Sequence, residues 1–299
     1  MISVIIPFYN EKENLPILID KLIEEFKKIK EVYEIILVND GSNDNFQPLI
    51  LKYLKNKNIK LIDHRKRKGK GEALKTGVEN SIGEIIVFMD ADLQDDPKDL
   101  PKFLEKIKSG YDFVNGARIN RQENFLVKLY SKIAGWILKI FFHSPFSDIN
   151  CGFKVFKEEV ISDFVFYGNN FRFFPLYVFY QGYKVTEVPI VNHPRRFGKS
   201  KFGSKKIFIG VFDMITAYFL YKFSEKPLHF FGSFGGLMSF FGFLILGYLG
   251  FERIFYHVLL YRRPVLWLGI LLVIVGIQIA AIGIIGELIV YLNKFKKNR

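Results

Sequence analysis

The chain is poor in the residues that build most metal and redox centres. Its 299 residues include one cysteine, Cys151, which excludes an internal disulfide and any cluster built on several thiolates. The five histidines, His64, His143, His193, His229 and His257, fall at no ligand spacing. Acid is scarce as well: 30 Asp and Glu face 43 Lys and Arg, a formal net charge of +13. That surplus suits a polyanionic partner, which on charge alone is nucleic acid, an anionic membrane surface or a phosphorylated ligand. No cleavable leader is evident, because Met1 to Pro7 lacks a basic start and its apolar run is short. The N-terminal part is therefore expected on the cytoplasmic side.

Apolar residues, by contrast, are abundant: 49% of the chain is hydrophobic and 17% aromatic, which is rich for a purely soluble protein. The excess is concentrated near the C-terminus. From His229 to Phe251 there is no charged side chain, and from Val265 to Ile289 only Glu287; each run approaches the ~20 residues that a bilayer core requires. They read as a transmembrane hairpin, about 228–251 and 265–292, closed by the short turn Glu252 to Pro264. Lys222, Lys226, Lys294, Lys296, Lys297 and Arg299 at the outer ends outnumber Arg253, Arg262 and Arg263 in the turn, which places both ends in the cytoplasm. With such segments, a membrane surface or a phosphorylated ligand is favoured over nucleic acid as the polyanion.

The first half alternates strand and helix patterns. Ser3 to Ile6, Glu34 to Asp40, Ile59 to Ile62 and Ile85 to Met89 read as strands; 14–29, 47–57 and 72–81 read as helices. This order predicts an α/β domain with a mostly parallel, Rossmann-like sheet covered on both faces. Every strand ends in a polar cluster: Tyr9-Asn10-Glu11, Asn39-Asp40-Gly41-Ser42, the basic run 65–71, and Asp90-Ala91-Asp92. In one parallel sheet all four fall along a single edge, where ligands collect. Asp90 and Asp92, two apart, either converge on one hard cation or form part of a solvated turn. Lys68-Gly69-Lys70-Gly71 ahead of a helix is either an anion cradle or a flexible basic loop. Two further segments, 125–142 and 205–222, have apolar residues at helical spacing with lysines between or beside them. The first is equally a core helix or an interfacial one, whereas the position of the second before the apolar runs favours the interface.

Pro7-Phe8-Tyr9-Asn10-Glu11, Asn39-Asp40-Gly41-Ser42, Gly69-Lys70-Gly71, Asp90-Ala91-Asp92-Leu93-Gln94, Asp148 to Lys154 and Arg195 to Lys201 occur in this order. Together they resemble the inverting family-2 glycosyltransferases of GT-A fold, in the branch that transfers sugars to polyisoprenyl phosphates, such as dolichyl-phosphate mannose or glucose synthases and bactoprenol glucosyltransferases. The resemblance implies that Pro7, Tyr9, Glu11, Asp40 and Lys70 shape the nucleotide-sugar pocket. Asp90, Ala91, Asp92 and Gln94 match the donor-phosphate stretch, with Asp90, Asp92 and Gln94 as ligands of Mg2+ or Mn2+. Arg118, Arg195, Ser200 and Lys201 match the acceptor-phosphate side, and Asp148 is its conspicuous acid. Lys132 stands where some relatives carry arginine, so the charge is kept and the bidentate fork is lost. The set implied to carry the chemistry is Asp92, Arg118, Asp148 and Arg195.

What the resemblance implies is an inverting hexosyltransferase that uses a nucleotide sugar, UDP-glucose first and GDP-mannose second, and a polyisoprenyl phosphate at the cytoplasmic membrane face. The expected division is a catalytic domain over 1–204, an interfacial helix over 205–226 and the hairpin with its basic tail over 227–299. Self-association is left open. Three alternatives stand beside this reading, of which a lipid or sugar carrier is the weakest, since two helices provide no enclosed polar path unless several chains assemble. A processive polysaccharide synthase would share the donor motifs, but the Gln-x-x-Arg-Trp motif and additional spans are missing. A catalytically inactive, membrane-tethered binding protein would keep the fold without turnover.

Overall fold

The computed structural model describes residues 1–119, 144–194, 197, 216, 219–259 and 263–297. The expected amphipathic segment 125–142 lies outside the described residues, as does most of 205–222, whose end, Phe219–Phe223, is a single turn of π-helix. The chain divides into two compact units, Met1–Met214 and Ile215–Arg299.

In the first unit, β1 (Ile2–Phe8), α1 (Asn14–Ile29), β2 (Tyr33–Asn39), α2 (Gln47–Ile50), β3 (Ile59–Asp63), α3 (Lys70–Glu79) and β4 (Ile85–Phe88) alternate as their patterns predict. There follow α4 (Leu100–Lys108), β5 (Phe113–Ile119), β6 (Lys154–Lys157), α5 (Phe174–Tyr180) and β7 (Val185–Val191). The strands form one sheet in the order β3-β2-β1-β4-β6-β5-β7. All neighbours are parallel except β6, which runs against both β4 and β5. The central strands are buried on both faces, and that is why they read as unbroken apolar runs. Leu15, Leu18, Ile19, Leu22 and Phe26 of α1 join Val4, Ile6, Leu37 and Val87 in the main core, each such side chain contributing ~1.5–3 kcal/mol on burial.

Two boundaries differ from the sequence pattern. The helix expected over 47–57 is one turn of α2 followed by a separate 3-10 turn, Tyr53–Lys55. Tertiary pull accounts for the break: the Tyr53 hydroxyl sits 2.8 Å from Asp20 and 3.2 Å from the Pro16 carbonyl, both in α1. Helix α3 begins at Lys70 rather than Glu72, because Gly69 at φ 102 turns the backbone where a side chain would be strained. The effect is to put Lys70 at the helix N-terminus.

The second unit is a pair of helices, α6 (Pro227–Tyr256, 30 residues) and α7 (Pro264–Lys297, 34 residues), each long and apolar enough to cross a bilayer. They meet through small residues. A Cβ on Gly235 would lie 2.4 Å from the Gly276 carbonyl, and one on Gly276 2.3 Å from Ser239 Oγ, so the backbones approach as only glycine permits. Glu287 Oε2 accepts the Leu228 N–H at 3.2 Å, capping the start of α6. At the opposite end Glu252 pairs with Arg263 across the turn.

A polar knot fastens the amino ends of the first strands. Glu34 of β2 accepts from Ser3 Oγ at 2.6 Å, from the Ile82 N–H at 2.8 Å and from Lys60 Nζ at 2.7 Å. Burial opposes its charge, yet these donors outweigh burial and hold its pKa below the ordinary 4.5. A lowered acid stabilises the fold above its unfolded-state value and loses that contribution as pH falls through the folded-state value. Glu34→Gln should therefore cost about 2 kcal/mol at neutral pH. The gap between wild type and variant should close as pH drops below 4.5, as read from thermal unfolding in detergent.

Candidate active site

The carboxyl ends of β1, β2, β3 and β4 lie along one edge of the sheet, and the reversed direction of β6 brings residues 148–152 to the same edge. Phe88 pairs with Lys154 in register, which sets Gly152 opposite Asp90. A Cβ on Gly152 would come within 2.5 Å of the Asp90 carboxyl group, so this glycine leaves room for the acid. Lys70, first residue of α3, places its ammonium on Asp90. Burial works against the Asp90 charge, but Lys70, then Lys154 and Arg118, keep its pKa below the ordinary value. Asp90 is thus an anion fenced by cations.

Asp92 is 8% exposed, and its Oδ1 accepts the Gln94 N–H at 3.2 Å. Leu93 between them is left-handed at φ 61, an uncommon conformation for leucine that folds the chain back on itself. Asp95, which sequence reasoning missed, is 5% exposed. Burial and the Asp90 charge push its pKa up to about 7, and its Oδ1 has no hydrogen-bond partner. The donors gathered here are oxygens, the chemistry of Mg2+ or Mn2+. Among the described residues no three His, Cys, Asp or Glu form a ready metal cage. A cation at Asp90, Asp92 and Gln94 would draw its remaining ligands from outside the protein, as nucleotide-borne ions do, and the residues fit that group.

The nucleotide-side candidates occupy the neighbouring strand ends. Asp40 is 4% exposed and accepts the backbone N–H groups of Lys68 at 2.7 Å and Gly69 at 2.9 Å. His64 Nδ1 lies 3.1 Å from the same carboxylate, with Nε2 3.0 Å from Thr76 Oγ1. Asp40 therefore holds the basic loop in place. Arg67 of that loop stacks on the Tyr9 ring at 4.2 Å. Glu11 accepts from Asn14 Nδ2 at 2.6 Å at the start of α1, while Pro7 and Ala91 are buried in the framework.

On the other side of Asp90 stands an ion pair. Arg118 at the end of β5 grips Asp148 in a fork, Nε to Oδ2 at 2.7 Å and Nη2 to Oδ1 at 3.1 Å. Burial opposes the guanidinium charge, but Asp148 outweighs it and raises the pKa, so Arg118 stays protonated. Nothing in the sequence pattern links these two, and their pairing is a finding of the structure. Lys154, also missed, is 5% exposed and donates to the Cys151 carbonyl; burial lowers its pKa to about 8. Phe171 and Arg172, in the segment before α5, line the same small pocket as Lys70, Asp90 and Lys154. The Cys151 thiol is held protonated, its pKa raised by burial. Lys132, Arg195, Ser200 and Lys201 lie outside the described residues. His193, in the segment after β7, donates its backbone N–H to the Gln94 carbonyl at 2.9 Å, which ties that segment to the stretch after β4.

Comparison with known proteins bears on the fold and the family. The chain is 28% identical over 294 residues to the dodecaprenyl-phosphate galacturonate synthase of Rhizobium johnstonii, covering 96% of this chain and 87% of that one. It is 29% identical over 291 residues to the undecaprenyl-phosphate 4-deoxy-4-formamido-L-arabinose transferase of Pectobacterium atrosepticum, covering 96% and 88%. Among solved structures, mannosyl-3-phosphoglycerate synthase from Rubrobacter xylanophilus superposes with a TM-score of 0.60 at 15% identity over 73% of this chain and 72% of that one. Glucosyl-3-phosphoglycerate synthase from Mycobacterium tuberculosis, in complex with Mn2+ and UDP-glucose, gives 0.55 at 16% identity over 74% and 78%. These likenesses show the GT-A fold. The family model for Glycosyl transferase family 2 matches residues 3–226, three-quarters of the chain and all the strands described above, and the chain belongs to that family.

Proposed function

We propose that the protein transfers a sugar from a nucleotide donor to a polyisoprenyl phosphate at the cytoplasmic face of a membrane. The observation that carries this reading is geometric: β6 in register with β4 sets Gly152 against the Asp90 carboxyl, and four residues earlier Asp148 is gripped by Arg118, so one short loop joins the strand-end acid to a buried guanidinium. The two relatives reported above are named for polyprenyl-phosphate acceptors and match nearly the whole chain. The helix pair α6 and α7 supports the same acceptor, since a polyprenyl chain cannot leave the bilayer and its enzyme must be held there.

The chemistry follows from the side chains. A phosphate monoester has a second pKa of ~6 and arrives largely as a dianion, so its attack on the sugar needs no strong general base. Asp148 matches that requirement: its carboxylate is engaged by Arg118 and serves to aim the guanidinium. Arg118 uses Nε and Nη2 on Asp148 and presents its remaining edge to the acceptor, with Arg195, Ser200, Lys201 and Lys132 proposed as further contacts. Lys70, resting on Asp90, is placed to turn to the diphosphate. Asp90 and Asp92, with Gln94, would hold a divalent cation, which supplies charge to the leaving diphosphate when bound. For the donor we propose a UDP-sugar. Glucose remains a candidate, joined by galacturonate and 4-deoxy-4-formamido-arabinose, the sugars for which the relatives are named.

The test is incubation of the purified full chain with a short polyprenyl phosphate, Mg2+ or Mn2+ and a panel of nucleotide sugars, GDP-mannose included, with mass spectrometry of the lipid. One donor should yield a lipid-phosphate-sugar; no product from any donor would overturn the proposal. Chelation or Asp92→Ala should lower turnover about a hundredfold or more, and Arg118→Ala should raise the acceptor KM about tenfold. Gly152→Ala pushes a methyl group into the Asp90 carboxyl. It should weaken Mn2+-dependent UDP binding about tenfold, by calorimetry, while leaving the acceptor KM within about twofold.

A further inference from the structure

We infer that Glu187 is a positioning residue for the acceptor side, acting through Asp148 on Arg118; the inference rests on the reading that this pair serves the acceptor phosphate. Glu187 is in β7, opposite Asn115 of the parallel strand β5. Its Oε2 accepts the Ser147 N–H at 2.8 Å and the Ser147 hydroxyl at 2.7 Å, and its Oε1 accepts the Asp148 N–H and Asn115 Nδ2, both at 3.3 Å. One carboxylate thus meets four donors, three of them on the two residues that end in Asp148. Asn115, fully buried, completes the grip by donating to the Asp148 carbonyl at 2.7 Å. The backbone of Asp148 is held by Glu187 and Asn115, and its side chain is delivered to Arg118. A guanidinium acting on a phosphate depends on orientation, and a loop displaced by an ångström costs much of that advantage. Without Glu187 the Ser147 and Asp148 N–H groups would lose their acceptors, and the loop between residue 144 and β6 would lose its tether to β7.

The chemistry of the carboxylate makes the idea testable. A glutamine keeps one accepting oxygen, but its amide nitrogen then faces two donors, so Glu187→Gln should fail nearly as badly as Glu187→Ala. Three measurements on the full chain in detergent separate positioning from mere structure. Amide hydrogen exchange at Ser147 and Asp148 should speed up about tenfold or more in both variants. The kcat/KM for polyprenyl phosphate should fall about thirtyfold, while Mn2+-dependent UDP binding should stay within about twofold of wild type because the donor edge is untouched. Ser147→Ala, which removes one of the four donors, should give a smaller loss of about threefold and carries the test if the Glu187 variants do not fold. Wild-type exchange at Ser147 and Asp148 in Glu187→Ala would overturn the inference. So would a loosened loop with unchanged acceptor kinetics, or an equal loss of donor binding. A wild-type enzyme inactive with every donor would instead overturn the proposed function, and the exchange measurement, which needs no turnover, would still decide whether Glu187 sets the loop.

Discussion

Three carboxylates, Asp90, Asp92 and Asp95, lie near enough at the carboxyl end of β4 to feel one another's charge, and the surrounding chain is arranged around that crowding. Like charges in a poorly solvated place repel, and the protein answers with cations from three directions: Lys70 from the start of α3, Lys154 from β6 and Arg118 from β5. Each of those elements is placed by the order of the sheet. Remove the reversed strand and both Lys154 and Gly152 leave the edge; remove the Gly69 turn and Lys70 no longer reaches Asp90. Stability and the proposed function thus pull on the same residues, since an acid cluster that is costly in isolation is what a cation and its diphosphate would require.

Much of this was legible in the sequence, and the part that was not has a physical reason. Strands such as Ile85 to Phe88 announce themselves because burial on both faces forbids polar residues, and Asp90 and Asp92 stand out against such a run. The edge could be inferred because parallel strands must end together. Pairings across the sheet could not. Arg118 and Asp148 are thirty positions apart with no periodicity linking them, and their fork depends on how β5 lies beside the loop before β6. Lys154 looked like one more lysine in a basic chain; only the structure shows that its ammonium is buried. Asp95 passed for a turn residue beside its neighbours, although two consecutive acids after Asp90 and Asp92 were a usable signal. Glu187 gave none, being one Glu on a half-exposed strand.

The hairpin obeys a different solvent. Its helices are too uniformly apolar to choose a face by hydrophobicity, so glycines at Gly235 and Gly276 select the contact by allowing close approach. Glu287, the single acid in an otherwise apolar run, is accounted for within the same unit: it supplies the acceptor that the first turn of α6 lacks, because Pro227 opens that helix and the Leu228 N–H would otherwise be unmet. A capping duty of this kind explains its presence without any role in moving charge.

The reversed strand β6 carries one more implication. Because it runs against β4, the loop before it reaches the edge where the parallel strands end while its far end points to the opposite rim, so residues before 96 and residues after 112 come to one edge. The site is therefore assembled from two separately encoded halves that meet only in three dimensions. Under the function proposed above, substitutions in either stretch reach the shared edge by separate routes, which makes such a scaffold readily adapted to new pairings of cargo and carrier.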